Sequence, residues 1–137
     1  MGVVKIQKSK FKMQNYNSKF KSDLKTRCYK FSLVIISLID SLPNKRTAWI
    51  IADQLLRSAM SIGANLIEGS AASSRIEYKK FYEIALKSAN EAKYWLAMLK
   101  ELIPVKKEGI DAFIREADEI SKIIGTSVLT MKGKRNL

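Results

Sequence analysis

Apolar side chains recur every three or four positions along most of this 137-residue chain, and its only prolines, Pro43 and Pro104, stand where the recurrence breaks. Proline lacks a backbone N–H and clashes with the preceding turn, so each sets a helix boundary. No stretch alternates with period two for more than four residues, which argues against strands. The spacing predicts four helices. The first covers about residues 17–42, with Phe31, Val34, Ile35, Leu38, Ile39 and Leu42 on one face. The second covers about residues 45–71. The third starts near residue 74 and runs to Pro104, carrying Tyr78, Phe81, Tyr82, Ala85, Ala89, Ala92, Leu96, Leu99 and Ile103. The fourth covers about residues 107–131, with Ile110, Phe113, Ile114, Ala117, Ile120, Ile124 and Val128 aligned. Connections this short join antiparallel neighbours, so the expected fold is all-α, an antiparallel up-down-up-down four-helix bundle.

Local signals place the helix ends. Asn44 can cap the second helix by accepting from a free backbone amide. Ser74-Arg75-Ile76-Glu77 fits a capping box for the third. A mid-helix glycine costs about 1 kcal/mol against alanine, so Gly63, with Ala64, is expected to admit a closely packed helix. Gly69 falls where the second helix should end, and a left-handed cap is expected there. At this length the chain reads as one domain: a bundle over residues 16–132, a basic, poorly ordered arm over 1–15 and a basic tail over 133–137. The longest apolar stretch, "FSLVIISLIDSL", is too short to span a bilayer, and no signal peptide is legible, so a cytoplasmic location and no membrane partner are expected.

The stretch "SAMSIGANLIEGSAASS", residues 58–74, looks too rich in glycine and serine for a helix. Helical spacing nonetheless places Gln54, Ser58, Ser61, Asn65 and Glu68 in one narrow stripe. Ile51, Leu55, Leu56, Ala59, Met60, Ile62, Leu66 and Ile67 cover most of the remaining circumference, so this helix is expected to be buried on nearly all sides. The stripe then lies inside or at a subunit contact. A buried polar group without a partner costs about 1–3 kcal/mol, which predicts a hydrogen-bonded network. Its partners should stand on the third helix: Arg57 with Glu91, and Asn65 or Glu68 with Ser88 or Asn90. The expected structural seam is Arg57, Ser61, Asn65, Glu68, Ser88, Asn90 and Glu91.

Catalytic readings of the same residues are weak. "SIGANLIEG" lacks the Gly-Lys-Ser/Thr of a phosphate-binding loop, and no GxSxG elbow is present. The chain has no histidine, the commonest general base and metal ligand, and a single cysteine, Cys28, which cannot form an intrachain disulfide. Glu68 and Glu91 could pair as carboxylates, but the Glu-x-x-His motifs of di-iron bundles are missing. The expectation is no enzyme, no cofactor and no metal.

Charge points elsewhere. The formal net charge is +12, and residues 1–31 hold nine lysines and arginines against Asp23 alone. Basic ends on a nearly neutral middle suggest phosphate neutralisation, with a solubilising face, an acidic protein or a lipid surface as alternatives. The candidate nucleic-acid contacts are Lys10, Lys12, Lys19, Lys21, Lys25, Arg27, Lys30, Arg75, Lys79, Lys80, Lys132, Lys134 and Arg135. Among the aromatic residues, Trp49, Tyr78, Phe81, Tyr82, Tyr94 and Trp95 could stack on unpaired bases, although core packing accounts better for most of them. Tyr94 and Trp95 are adjacent and must point about 100° apart, so at least one leaves the core stripe. With Met98 and Leu102 they form a second apolar face on the third helix, read as an oligomer interface of Tyr94, Trp95 and Met98.

Residues 54–101 also carry a family likeness. Ala64-Asn65-Leu66-Ile67-Glu68-Gly69, then Ser73-Ser74, then Ala85-Leu86-Lys87-Ser88-Ala89-Asn90-Glu91 resemble the signature of the 23S rRNA intervening-sequence protein family. The ending "EADEISKIIGTSVLTMKGKR" is similar to members of that family as well. The resemblance implies a four-helix bundle that assembles into a ring-like homo-oligomer, typically a homopentamer, without known catalytic activity. The family includes the accessory variability determinant proteins of diversity-generating retroelements, basic bundles that partner a reverse transcriptase and its template RNA. It supplies no accepted catalytic residues; Asn65, Glu68 and Glu91 match its signature as structural positions. Two functions follow as expectations: an accessory protein that binds nucleic acid, structured RNA foremost, or a protein-interaction scaffold whose charge serves solubility.

Overall fold

The structure, a computed structural model, describes residues 23–136, with side chains up to residue 133. Four long helices account for nearly all of it: α1 (Asp23–Asp40), α2 (Arg46–Ser70), α3 (Arg75–Leu102) and α4 (Lys107–Asn136), with one 3-10 turn (Pro104–Lys106) before α4. Among the described residues there is no strand, and no helix is long and apolar enough to cross a membrane. The expectations for residues 1–15 and for the start of the first helix lie outside the described residues.

Pro43 and Pro104 break the chain where expected, but the caps are built differently. The Lys45 amide donates to the Pro43 carbonyl at 2.8 Å, so Lys45, in extended conformation, becomes the N-cap of α2 and Asn44 falls outside it. At α3 the Ser74 half of the capping box forms, its hydroxyl accepting from the Glu77 amide at 3.1 Å, while the Glu77 carboxylate accepts instead from the Ser73 hydroxyl at 3.4 Å. The α4 helix continues past Met131 to Asn136, through all but the last residue of the expected basic tail.

Each helix turns one stripe inward. Cys28, Phe31 and Ile35 of α1, Leu55, Ile62 and Leu66 of α2, Leu96 and Leu99 of α3, and Ile110, Ile120 and Ile124 of α4 are the largest fully buried side chains. Burying one such aliphatic chain contributes about 1.5–3 kcal/mol, so this shared core is the main stabilising term. Burial pushes the Cys28 thiol up to about 12, so it stays protonated and inert.

Neighbouring helices run antiparallel. Gly63 faces Cys28 and Ala59 faces Ser32 between α1 and α2. Gly69 faces Phe81 and Ser61 faces Ser88 between α2 and α3. Lys100 meets Asp111 and Lys93 meets Asp118 between α3 and α4. In every pair, a later residue of one helix meets an earlier residue of the other. Gly63 admits α1 as expected, since a Cβ there would sit 3.4 Å from the Cys28 Cβ. Gly69 does not cap α2. No glycine among the described residues has positive φ, the helix closes at Ala71, and a Cβ at Gly69 would lie 3.2 Å from the Phe81 Cβ and 3.3 Å from the Tyr82 ring. Gly69 is therefore the tightest point of the α2–α3 contact.

Replacing Gly69 by leucine forces α2 off α3 and is expected to destabilise the fold by about 1–3 kcal/mol. At Gly109, in the first turn of α4, an added Cβ meets nothing within 4 Å. Gly109→Ala is therefore expected to stabilise by about 0.5–1 kcal/mol through helix propensity alone. Urea unfolding of both variants measures the opposed signs.

Candidate nucleic-acid interface

Antiparallel packing brings the end of α2, the start of α3 and the end of α4 to one pole, while the first turn of α1 points the same way but meets α4 at its middle, where Arg27 reaches Glu116. A shallow hollow of about 150 Å³ marks the last of these meetings, where Arg75, Ile76 and Lys79 of α3 reach Met131 of α4. Basic residues far apart in sequence therefore become neighbours. Arg75, Lys80 and Lys132 are exposed here; Lys25 and Lys30, set back on α1, are half-buried. Lys79 is more covered, with its side chain 16% exposed and its Nζ 4.0 Å from Glu83. Lys134 and Arg135 occupy the last turn of α4. Lys10, Lys12, Lys19 and Lys21 lie outside the described residues; residues 1–22 hold six lysines and no acidic residue.

Arg27 is a correction to the expected set. Its Nε and Nη2 donate to the two Glu116 oxygens at 2.7 and 2.9 Å, a forked pair joining α1 to α4. Glu116 holds the guanidinium still more firmly in its protonated form. A cation engaged twice by one carboxylate is a clamp between helices. The middle of the molecule is neutralised in the same way. Lys100 pairs with Asp111 at 3.0 Å, and Lys93 donates to Asp118 at 3.1 Å and to the Ser121 hydroxyl at 3.3 Å. Hydrogen bonds from Lys122 and Lys93 hold the Asp118 carboxyl below its ordinary range. That pairing acts at neutral pH and is lost as acid protonates Asp118. Residues 31–131 together carry a formal charge of only +1 of the total +12, the start of α3 included, where Glu68, Glu77 and Glu83 balance Arg75, Lys79 and Lys80.

The polar seam forms only at its centre. The Ser88 hydroxyl donates to the Ser61 hydroxyl at 2.9 Å, and the Asn65 amide donates to the Ser61 carbonyl and hydroxyl at 2.8 and 2.9 Å. Ser58 is buried and satisfies itself on the Leu55 carbonyl. The remaining expected members turn outward: Glu68, Asn90 and Glu91 are exposed, and Arg57 bonds Gln54 one turn away on its own helix instead of Glu91. Asn90 apart, their positions sit at the edges of the α2–α3 contact, where long polar chains reach water at no cost.

The apolar surface also differs from expectation. Trp95 turns inward and its Nε1 is buried without an acceptor among the described residues. Tyr94, 61% exposed, stands at its edge with ring centroids 5.1 Å apart. Tyr94, Ala97, Met98, Glu101 and Leu102 of α3, with Ile51 of α2, line a hollow of about 430 Å³. Nor does α2 bury nearly all its sides within one chain, since Trp49, Ile50, Met60 and Ile67 are exposed. Met60 and Ile67 line a second groove, between α1 and α2, together with Tyr29, Leu33 and Ile36. Sequence reasoning missed this groove. The spacing of seven between Met60 and Ile67, with Gly63 between them, was its legible signal.

A family model described as 23S rRNA-intervening sequence protein matches residues 21–126. A crystal structure from Bacteroides thetaiotaomicron VPI-5482, of a protein of unknown function from the S23 ribosomal protein family, is 32% identical. The match covers 77% of this chain and 97% of that one, with a TM-score of 0.71. None of the curated proteins matches the chain.

The forked Arg27–Glu116 pair has a measurable consequence. A double-mutant cycle of Arg27→Ala and Glu116→Ala is expected to give a coupling of about 1 kcal/mol, high for a partly exposed pair because it is bidentate. The coupling should shrink as salt is raised toward 1 M. Zero coupling at low salt would remove the clamp.

Proposed function

The chain belongs to the 23S rRNA-intervening sequence protein family, and from that premise we propose that it is a non-enzymatic accessory protein that binds RNA. It works as a homo-oligomer of up-down-up-down four-helix bundles. The observation that carries the RNA reading is the partition of charge. Cations in the body of the fold are spent on carboxylates, three of them on α4, while the excess positive charge lies in residues 1–30 and in the last turns of α4. Such a surface reads phosphates and overall shape more than base sequence. Assembly places several copies of the pole on one particle and multiplies its field.

Affinity for RNA should fall linearly with log salt, and Arg75→Gln, Lys80→Gln and Lys132→Gln together should flatten that slope by about 0.7 per lost contact on a single strand. Lys107→Gln and Arg115→Gln, away from the pole, should leave the slope unchanged. Fluorescence anisotropy across a salt titration checks this. Binding that is absent at low salt, or indifferent to salt, would sink the reading.

The homo-oligomer is supported by the hollow of Ile51, Tyr94, Met98 and Leu102, an exposed apolar face on the side of the fold. Light scattering should return a multiple of the chain mass at micromolar concentration. Tyr94→Glu with Met98→Glu should return a monomer of unchanged helix content. A monomeric unaltered protein would refute the interface.

A further inference from the structure

We propose that the groove between α1 and α2 takes an unpaired nucleotide of the bound RNA, with the base against Tyr29 and the phosphate beside Lys25. The inference rests on the RNA-binding reading and gives that surface a preference for single-stranded or looped segments.

The groove follows from how the two helices meet. Gly63 lets α1 approach to the Cys28 side chain, so the backbones are close at that point. The larger side chains on either side, Ile36 from α1 and Met60 and Ile67 from α2, stand as walls over a floor made by Gly63. The hollow is about 390 Å³. Its walls are solvent-facing: Tyr29 is 48% exposed and Met60 47%. Lys25, in the first turn of α1, puts a cation among the groove's lining residues.

That combination fits one chemistry better than others. A duplex keeps its base faces stacked inside and offers a groove only sugar and phosphate, whereas an unpaired base presents a flat apolar face beside its own phosphate. An aromatic ring, an aliphatic wall and an adjacent cation meet those features together. The hollow between α2 and α3 has comparable size and apolar character, but its one charged lining residue is Glu101, which repels phosphate. Charge complementarity thus separates the two hollows.

The test uses the full chain, a single-stranded RNA carrying 2-aminopurine and a continuous RNA duplex of the same length at one ionic strength. Binding should quench 2-aminopurine emission. Tyr29→Ala should lower single-strand affinity roughly tenfold, as the loss of one stacked base does, while duplex affinity holds. Tyr29→Phe should retain the unaltered affinity, because the ring is what stacks. Circular dichroism checks the helix content of each variant; if Tyr29→Ala fails to fold, Ile67→Ala at the exposed wall is subject to the same comparison. Equal losses on both RNAs, or none on the single strand, would overturn the groove assignment and leave RNA binding standing. If neither RNA binds at low salt, the reading beneath it fails. If Tyr29→Ala instead changes the solution mass, a second copy fills the groove and the assignment is overturned.

Discussion

The contact between α2 and α3 is the constraint on which the rest of this molecule depends. Its faces are built from small residues: Ala85, Ala89 and Ala92 are fully buried, Ser61 bonds Ser88, and Gly69 leaves no room for even a methyl group without moving Phe81 or Tyr82. Small side chains let backbones approach closely, and close backbones tolerate few alternative registers because interiors pack at crystal-like density. The chosen register sets the end of α2 beside the start of α3. Gly63 against Cys28 then fixes where α1 lies along α2. The site is therefore a product of register: shifting α2 along α3 by one turn would scatter its cations by about 5 Å.

Electrostatics completes what packing begins. The α4 helix carries Asp111, Glu116 and Asp118 on the flanks it turns toward α3 and α1, and each meets a cation from a different place in the sequence. Pairs of this exposure add little stability one by one. Their larger effect is on the field, because they remove charge from the body of the fold. A chain with the same +12 spread evenly would have no preferred side for a polyanion.

Much of the fold was legible in local signals. Two prolines and a 3.6-residue apolar repeat placed four helices, and the Ser74–Glu77 box marked a boundary to the residue. The illegible parts share one cause, which is that a residue's role is set by a neighbour distant in sequence. Gly69 could equally end a helix or admit one, and only the position of Phe81 decides. Asn44 has a good capping side chain, yet the turn made by the Pro43 carbonyl starts α2 one residue later. Glu68 and Glu91 lie on the same helical stripes as Ser61 and Ser88, but the contact is only as wide as small side chains, so they emerge at its edges, and Asn90, two residues past Ser88, faces away from it. Arg27 looked like any cation of the basic N-terminal stretch until Glu116, 89 residues away, arrived beside it.

The most informative of these mismatches concerns α2. Its sequence is apolar around most of the circumference, yet one chain covers only part of it and leaves Trp49, Ile50, Met60 and Ile67 in water. Large exposed apolar residues lying together mark places where something else binds. Two hollows flank this helix, one lined by its Met60 and Ile67 and the other by its Ile51, and they differ chemically. The flank toward α3 pairs its apolar lining with Glu101. The flank toward α1 pairs its lining with Lys25. Two unlike hollows on one helix need two unlike occupants or two unlike faces of one occupant. A carboxylate excludes a polyanion from the first, while a lysine and an exposed tyrosine suit it to the second. On the proposed reading, the same helix that anchors the fold through its small residues also separates self-assembly from RNA contact through its large ones.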